Sequence, residues 1–494
     1  MPASASAGRR TSCRASTSSP TAPLPDPDAA AVPPTPRWST PWSVDLQSSH
    51  IMGSSESMDY SEALRFLDRH VNLEATAGRV HGLSLDAMRG LVACMGDPQQ
   101  DVPTIHVTGT NGKSSVAAMT VSLLGALGLR VGSYSSPHVD TIRERLAING
   151  ELIDEAEFGD LVGDLARYAA AAPETSSYFE LLTAAALLWF ANEAVDVAVV
   201  EVGMLGRFDA TNVVEGEVAV VTNIGRDHTD GRGDWRRAIA GEKAGILRAG
   251  RPLVLGETAI DVRDLFLAEE PDPFLERDRD FGVTATQIAV GGQVIDVFGP
   301  HGRYDEVFLS LYGAHQADNA AVALATAEAF VGGPLGDEVV EQGFGTVRLP
   351  GRLEVAATGP LVLLDGAHNQ EAARAVAEAV PELFFEGGAV GRRILVVGAL
   401  RPREPSEVLA ELIALAPELV VTCTAPSPRA VPAGRLAELV RELGVDAEAV
   451  ADVGEAVHRA IALADDDDLI LVTGSFYVLA AAREVLAGRR EEAG

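Results

Sequence analysis

The sequence has few cysteines, a deficit of basic residues and no long hydrophobic run, and each shortage excludes a class of protein. Its three cysteines, Cys13, Cys94 and Cys423, are scattered without the spacing of a zinc site or a disulfide framework, so we expect a reducing, cytoplasmic compartment. Its 39 basic and 71 acidic residues give a net charge of −32, which opposes non-specific binding to nucleic acid or anionic membranes. No apolar stretch reaches the roughly 18 to 20 residues of a membrane-spanning helix.

The first 57 residues differ in composition from the rest of the 494-residue chain. They are rich in Ser, Pro and Ala and show no periodic apolar face, so we predict a disordered N-terminal extension over residues 1–57. Their Arg and Ser content weakly resembles a transit peptide. We favour a tail without function, or initiation at Met58, because the folded pattern begins only there.

Strand-like and helix-like segments alternate from about residue 100 onwards. Short β-branched runs such as "TIHVTG", "VDVAVVEVG" and "VAVVTNIG" are typical of buried parallel strands, and longer apolar runs such as "FELLTAAALLWFANEA" lie between them. This alternation predicts a doubly wound α/β domain with a mostly parallel sheet. Residues 281–311 are predicted to form antiparallel strands at its edge.

A second alternating series begins after the segment "LPGRLE", residues 349–354. The runs "LVLLDGAHN", "RRILVVGAL", "ELVVTCTA" and "DLILVTGS" predict a smaller, Rossmann-like α/β domain. The chain is therefore predicted to comprise the extension 1–57, a central domain over 58–347 and a C-terminal domain over 348–494. Ligands of open α/β sheets bind at the carboxyl ends of the strands, so functional residues are expected there.

The segment 104–115, "TIHVTGTNGKSS", joins a predicted strand to a predicted helix through glycines and a lysine. It lacks the usual P-loop glycine six positions before the lysine, where Val107 stands. Gly109 and Gly112 would allow a tight turn, Lys113 would supply a charge, and the next helix would direct free N–H groups to the same place. The segment alone is consistent both with a polyphosphate-binding loop and with a plain strand-to-helix turn.

Polar side chains stand at three further strand ends. Glu201 lies in an otherwise apolar strand, Ser136 and His138 follow a second strand, and Asp227 and His228 follow a third. A buried carboxylate needs a partner or a cation, and magnesium prefers oxygen ligands. Taken singly, Glu201 could pair with an arginine and either histidine could be structural. Together with the glycine-rich loop, these residues favour an ATP–magnesium site.

A set of motifs in a fixed order carries a resemblance to a known family. The motifs are "HVTGTNGKSS", "SSPH", "RERLAINGE", "SYFELLT", "EVGMLGRFDATN", "TNIGRDH", "EKAGI", "GAHQADNAA", "PGRLE" and "LDGAHN". Over about residues 58–494 the set resembles the folylpolyglutamate synthase/dihydrofolate synthase branch of the Mur ligase family. The resemblance implies a P-loop-containing ATPase domain whose loop is a compact version, in which Val107 is expected.

The resemblance also implies a reaction. ATP would phosphorylate a carboxylate of folate or dihydropteroate, and the amine of L-glutamate would displace phosphate to form an amide. The implied cofactors are ATP and Mg²⁺, with two ions, and the implied partners are these small molecules, without nucleic acid or membrane. We expect a monomer.

Site residues follow from the resemblance, position by position. The implied nucleotide-binding residues are Gly109, Thr110, Asn111, Gly112, Lys113, Ser114, Ser115, Asn319, Arg352 and Asp365. The implied metal ligands are Ser136, Glu201 and His228. The implied pterin pocket contains Ser177, Phe179 and Asp209. The implied catalytic residues are Lys113, Lys243 and His368, with His368 near the phosphates.

Lys243 is implied to be carbamylated. An ammonium group near magnesium and Lys113 would add positive charge to positive charge, and burial favours the neutral amine that reacts with carbon dioxide. The resulting carbamate is an anionic oxygen donor of the kind that magnesium prefers. The alternative is a surface lysine beside Glu242.

Three departures from the family pattern limit what the resemblance implies about the substrate. Leu205-Gly206-Arg207 stands where Gly-Gly-Arg is usual, and Leu205 could narrow the folate pocket. Ser114 stands where glycine often follows the lysine, and the segment 401–405, "RPREP", replaces the usual Asp-Lys-Asp. The first and last leave open whether dihydropteroate, folates or both are accepted.

Two competing interpretations remain. A ligase for peptidoglycan precursors would need a uridine-nucleotide domain before the loop, for which too few residues are available. A nucleotide-binding protein without ligase activity would be expected to lack Glu201, His228 or Lys243, and all three are present.

Overall fold

The computed structural model describes residues 58–72, 84–226, 233–384 and 391–493. The predicted extension over residues 1–57 lies outside the described residues, as do Asp227 and His228. No helix in these four ranges combines the length and the apolar composition needed to cross a membrane.

The first sheet has eight strands, in the order β4-β3-β2-β5-β1-β6-β7-β8. All neighbours run parallel except the β2–β3 and β3–β4 pairs, which are antiparallel. The central strands β1 and β5 are buried at every position, as expected for parallel strands covered on both faces. The strands are β1 Thr104–Thr108, β2 Val131–Tyr134, β3 Leu146–Ile148, β4 Glu151–Leu152, β5 Val197–Glu201, β6 Gly216–Val221, β7 Leu253–Leu255 and β8 Phe274–Glu276.

Helices cover both faces of this sheet. The helices are α1 Tyr60–Leu67, α2 Asp86–Cys94, α3 Lys113–Ala126, α4 Glu155–Ala171, α5 Tyr178–Asn192, α6 Trp235–Ala244, α7 Arg263–Leu267, α8 Ala314–Val331 and α9 Asp337–Gly345. Alternate residues of β5 face opposite sides: Val197 and Val199 join the core beneath α3 and α8, whereas Ala198 and Val200 join the core beneath α5.

The predicted antiparallel strands between residues 281 and 311 are present, but they form a sheet of their own instead of extending the first. The strands β9 Gly282–Ala289, β10 Gly292–Phe298 and β11 Arg303–Leu309 are arranged in the order β11-β10-β9. Ile295, Val297 and Leu309 are buried in the same core as α3 and α8. Burial of this apolar face therefore holds the small sheet against the helices.

The last sheet has six strands, in the order β12-β13-β17-β14-β15-β16, and only β12 runs antiparallel to its neighbour. The strands are β12 Glu354–Thr358, β13 Leu361–Leu364, β14 Arg393–Val397, β15 Leu419–Thr422, β16 Ala447–Ala449 and β17 Leu469–Thr473. The helices are α10 Gln370–Phe384, α11 Pro405–Leu412, α12 Ala433–Glu442, α13 Val453–Leu463 and α14 Phe476–Ala493. The two large sheets confirm the predicted α/β class.

A buried polar contact fixes the three-stranded sheet to α8. The hydroxyl of Tyr304 on β11 donates a hydrogen bond to Glu328 Oε1 at 2.7 Å and accepts one from the Leu335 amide at 2.8 Å. The Glu328 side chain is fully buried, and its second oxygen accepts a hydrogen bond from the His301 amide at 2.8 Å. Burial raises the pKa of Glu328, so the hydrogen bonds are needed to keep its charged form tolerable.

We predict that Tyr304→Phe lowers the free energy of unfolding by about 1 to 3 kcal/mol, because it leaves a buried acceptor and a buried amide without partners. Urea denaturation measures the change. The matched control is Tyr312→Phe, which removes a hydroxyl that accepts one hydrogen bond from the exposed Gly291 amide at 3.0 Å. Equal losses in the two variants would contradict a special role for the buried contact.

Candidate active site

A cleft of about 710 Å³ opens where the carboxyl ends of the first and last sheets approach each other. Of the residues predicted to act in the site, it is lined by Thr110, Asn111, Gly112, Lys113, Ser114, Ser115, Ser136, Ser177, Phe179, Glu201, Asp209, Asn319, Arg352, Asp365 and His368. Gly109 and Lys243 do not line it. The structure therefore brings most of the predicted residues together at one place.

The segment after β1, residues 109–115, forms a tight loop at the N-terminus of α3. We call this segment the phosphate-type loop. Gly112 has a φ of 80°, and a Cβ atom there would lie 2.5 Å from Asn319 Oδ1, so a larger residue would disrupt the turn. Lys113 is the first residue of α3, and its ammonium group donates to the Gly109 carbonyl at 3.1 Å. The lysine charge and the free N–H groups of the first helical turn suit a polyphosphate.

Two residues at the end of β6 hold this loop in place. Asn223 Oδ1 accepts hydrogen bonds from the amides of Thr110, at 3.2 Å, and Asn111, at 2.9 Å. Thr222 Oγ1 donates to the Asn111 carbonyl at 2.6 Å. Sequence reasoning missed both residues, although they belong to the motif "TNIGRDH", because hydrogen bonds between loops distant in sequence leave no local signal.

The Glu201 carboxylate is buried at the end of β5 and faces the cleft. One oxygen accepts a hydrogen bond from Ser114 Oγ at 3.1 Å, and the other has no hydrogen-bond partner among the described residues. Burial raises the pKa of Glu201, while the charge of Lys113 and the hydrogen bond from Ser114 oppose that shift. A buried, unpaired carboxylate oxygen beside a phosphate-type loop fits a cation ligand.

The other predicted metal-site residues divide into two groups. Ser136 is buried and lines the cleft. A hydrogen bond from the Ser136 backbone stabilises the charged form of the nearby Glu201 and so acts to lower its pKa. His138 accepts a hydrogen bond at Nδ1 from the buried Arg145 Nε at 2.9 Å and does not line the cleft. His138 therefore fits the role of a structural histidine better than that of a metal ligand. No three His, Cys, Asp or Glu side chains converge as a metal cluster in the described part of the chain, from which His228 is missing.

The three residues assigned to a pterin pocket line one wall of the cleft. Phe179 supplies an apolar ring 6.0 Å from that of Tyr134. The Ser177 hydroxyl donates to Glu180 Oε2 at 2.7 Å and caps α5, so it also has a structural task.

Asp209 fixes the loop that follows β5. Its Oδ2 accepts from the Met204 amide at 2.8 Å, and its Oδ1 accepts from the Thr211 amide at 3.0 Å and from the Thr211 hydroxyl at 2.5 Å. Burial raises the pKa of Asp209, and these hydrogen bonds oppose the shift. The carboxylate therefore orders the cleft wall whether or not it touches a ligand.

The last sheet contributes a cation, an anion and an imidazole. Arg352 stacks over the ring of Phe476, with its Cζ 4.6 Å from the ring centroid. Asp365 is buried and accepts hydrogen bonds from the amides of Leu353, at 2.9 Å, and Ala367, at 2.8 Å. Burial raises the pKa of Asp365, and the nearby charge of Arg352 opposes the shift.

His368 is oriented by its own loop. Its Nδ1 lies 2.7 Å from the Gly366 carbonyl, an acceptor, so Nδ1 carries the proton. Another residue of this loop, Asn369, donates from Nδ2 to Asn111 Oδ1 at 2.8 Å and so joins the last sheet to the phosphate-type loop. Sequence reasoning did not single out this hydrogen bond.

Lys243 lies on α6 and is fully buried, so the alternative of a surface lysine is wrong. Gly203 and Met204 line the cleft, and Gly206 belongs to the same loop. The Lys243 backbone packs against the far side of this loop: a Cβ atom added at Gly206 would lie only 3.1 Å from the Lys243 Cα. Lys243 is thus one layer removed from the cleft surface.

Leu205 does not narrow the cleft, which it does not line. Its carbonyl accepts a hydrogen bond from Thr108 Oγ1 at 2.7 Å, and its φ is 61°, in the left-handed region that favours glycine. The departure from the glycine of the family pattern therefore strains the backbone and places no side chain in the lining of the cleft.

Comparison with known proteins agrees with this geometry. The Mur ligase middle domain profile matches residues 107–327, and the Mur ligase glutamate ligase domain profile matches residues 351–476. The chain is 39% identical over 445 residues to dihydrofolate synthase/folylpolyglutamate synthase of Mycobacterium tuberculosis, an alignment that covers 82% of this chain and 90% of that protein.

Solved structures give the same result. Folylpolyglutamate synthase of M. tuberculosis complexed with ADP superposes with a TM-score of 0.79 at 35% identity, covering 86% of this chain and 98% of that chain. The bifunctional folylpolyglutamate synthase/dihydrofolate synthase of Yersinia pestis, complexed with AMPPNP and a manganese ion, superposes with a TM-score of 0.74 at 30% identity, covering 90% of this chain and 100% of that chain. Because fold, cleft and sequence agree over most of both chains, this chain belongs to the folylpolyglutamate synthase/dihydrofolate synthase branch of the Mur ligase family.

Proposed function

We propose that the protein is an ATP-dependent ligase that adds L-glutamate to a carboxylate of folate or dihydropteroate through an acyl phosphate. One observation carries the proposal: the phosphate-type loop of Lys113 and the unpaired carboxylate oxygen of Glu201 open into the same cleft as the apolar wall of Phe179. Such a cleft offers places for a polyphosphate, a cation and an aromatic substrate side by side. Family membership supports the same reaction class.

The nucleotide would lie between the two sheets. We assign its phosphates to the phosphate-type loop, residues 109–115, and to His368, and the rest of the nucleotide to Asn319, Arg352 and Asp365. The hydrogen bond between Asn111 and Asn369 supports a site shared by both sheets, because it already brings the two loops together. A relative bound to ADP is consistent with this assignment.

Glu201 and Ser136 would hold magnesium, together with His228. The buried, unpaired oxygen of Glu201 supports this set, because a cation would remove the cost of burying the carboxylate. When bound, magnesium would neutralise charge on the phosphates of the nucleotide. The number of ions, for which we expect two, stays a prediction.

The residues of the chain would act mainly by position and charge. Lys113 would neutralise the transferring phosphoryl group, and the walls of the cleft would limit the access of water to the acyl phosphate. Phe179 would stack against the pterin, while the network of Asp209 keeps the adjoining wall rigid. We further propose that the enzyme acts as a monomer in a reducing cytoplasm, with small molecules as its only partners.

We propose that Lys243 carries a carbamate. Its full burial supports this, because burial favours the neutral amine, which is the form that reacts with carbon dioxide. Lys113 and Lys243 are also the only two lysines of the chain, whose other basic residues are all arginines. Arginine stays protonated and cannot form a carbamate at neutral pH, so a chain that uses arginine everywhere else would keep lysine where the amine itself is needed.

We predict that phosphate release from ATP requires both glutamate and a pterin acceptor. Mass spectrometry of products formed with dihydropteroate and tetrahydrofolate in parallel should show a mass increase of one glutamate for at least one acceptor. Phosphate release that is the same with and without glutamate and the pterin acceptor, and that yields no new product, would contradict ligase activity.

We predict that Glu201→Gln lowers ligation by about 100-fold or more while the fold is retained, because the amide cannot balance the charge of a cation. Steady-state rates and circular dichroism measure the two effects. The matched control is Glu193→Gln, at the partly exposed end of α5, which should keep full activity. Normal turnover of Glu201→Gln would exclude Glu201 as a metal ligand.

We predict that Lys243→Ala and Lys243→Arg both lose ligation by about 100-fold or more, because neither side chain can carry a carbamate. Acetate should partly restore Lys243→Ala, where it can fill the vacated space, and should leave Lys243→Arg inactive. In buffer enriched with ¹³C-labelled bicarbonate, wild-type protein should show a carbamate NMR signal that both variants lack. Activity of Lys243→Arg close to wild type would rule the carbamate out.

A further inference from the structure

A histidine lies inside a central strand of the first sheet, and the nucleotide, metal and carbamate assignments make no use of it. His106 is the middle residue of β1, a strand that is buried at every position, and its side chain is fully buried. Its Nδ1 has no hydrogen-bond partner among the described residues. A buried polar atom without a partner costs free energy, which an apolar residue at this position would avoid. The histidine therefore calls for a functional explanation.

The other ring nitrogen is connected to Asp209 through one hydroxyl group. His106 Nε2 lies 2.9 Å from Thr211 Oγ1, and Thr211 Oγ1 donates a hydrogen bond to Asp209 Oδ1 at 2.5 Å. A hydroxyl group has a single proton to donate, and the carboxylate accepts it, so the hydroxyl oxygen accepts its hydrogen bond from His106. The proton of the imidazole is therefore on Nε2, and the donors are directed from His106 through Thr211 to Asp209.

The imidazole keeps this arrangement because it stays neutral. Burial lowers the pKa of His106 to about 3, and the charge of Arg248 acts in the same direction. Arg248 is itself held by the same part of the chain, since it donates to Asn212 Oδ1 at 3.1 Å and to the Val214 carbonyl at 2.9 Å. The direction of the two hydrogen bonds is thus constant at neutral pH.

Asp209 is the only member of this chain of hydrogen bonds that reaches the cleft. It lines the cleft together with Phe179, whereas His106 and Thr211 do not line it. A hydroxyl group that accepts an N–H bond becomes a stronger donor, and a hydrogen bond to a carboxylate favours its charged form. A charged carboxylate accepts hydrogen bonds from the amino and ring N–H groups of a pterin, whereas a protonated one would present an O–H donor to them.

We infer that His106 is a positioning residue for the pterin acceptor: through Thr211 it keeps the Asp209 carboxylate charged and oriented towards the cleft. The inference rests on the proposed ligase function, which assigns the pterin to this wall. The alternative is a histidine that only ties β1 to the loop after β5. The two roles differ in what is lost with the side chain, because a structural tie contributes stability and a positioning residue contributes affinity for the acceptor.

The test compares Thr211→Val and His106→Met with the wild type in steady-state ligation. Each variant should raise the KM for the pterin acceptor about tenfold or more, the loss expected for a hydrogen bond to a charged group, and leave the KM values for ATP and glutamate within about twofold. The matched control is Thr326→Val, which removes a fully buried hydroxyl that donates to the Val322 carbonyl within α8 at 2.7 Å. It should leave the KM for the acceptor unchanged.

Conservative variants provide a second readout. Thr211→Ser keeps the hydroxyl group, and His106→Gln places an amide N–H close to the position of Nε2, so both should keep a KM for the acceptor near that of the wild type. An unchanged KM for the acceptor in Thr211→Val and His106→Met, or an equal rise in all three KM values, would overturn the inference.

Thermal unfolding separates positioning from a structural tie. His106→Met removes a nitrogen without a partner and replaces it with apolar surface, so the unfolding midpoint should stay within about 3 °C of the wild type. A much lower midpoint with an unchanged KM for the acceptor would make the histidine purely structural and overturn the inference. If His106→Met does not fold, the KM values of Thr211→Val and Thr211→Ser decide.

A binding experiment keeps the two proposals separate. If the wild type forms no amide, the proposed function fails, and calorimetric titration with dihydropteroate then decides the inference. Binding to the wild type that weakens about tenfold in Thr211→Val and is retained in Thr211→Ser would support the role of His106. Absence of binding to the wild type, or equal affinity in all three proteins, would overturn it.

Discussion

The burial of one carboxylate at the end of a central strand determines much of this site. Glu201 lies deep in the first sheet, where an unpaired negative charge is costly, yet only one of its oxygens accepts a hydrogen bond from the described residues. Lys113 and Arg352, from different sheets, supply the positive charge that opposes the cost. The cleft thus brings one buried negative charge together with two positive charges. A bound cation would stabilise the carboxylate further, and a bound polyphosphate would pair with the positive charges.

The two sheets meet because each places polar loops at its carboxyl edge. Parallel strands bring every following loop to the same edge, so residues far apart in sequence, such as Asn111 and Asn369, come within 2.8 Å of each other. The hydrogen bonds of Thr222 and Asn223 then hold the loop in one conformation. A site built this way keeps its donors pre-organised, which is the main source of catalysis in phosphoryl transfer.

The sequence predicted the parts of the fold that depend on local pattern. The continuous apolar runs of β1, β5 and β6 and the helices between them were located within a few residues, because buried parallel strands and long helices have distinct periodicities. The separate three-stranded sheet was not predicted, since whether a hairpin extends an existing sheet depends on the tertiary burial of residues such as Ile295. The roles of Asn223 and Asn369 were missed for the same reason: hydrogen bonds between distant loops leave no local signal.

The distribution of basic residues links composition to chemistry. Only two of the 39 basic residues are lysines, so arginine stands at the other 37 positions. Lys113 remains because its compact ammonium group fits at the start of α3, where it donates to the Gly109 carbonyl. Lys243 remains at a fully buried position where a guanidinium would be permanently charged. Arginine at 403 follows the same preference, so exchange of lysine for arginine there preserves the positive charge, whereas exchange at 113 or 243 would change the chemistry of the group.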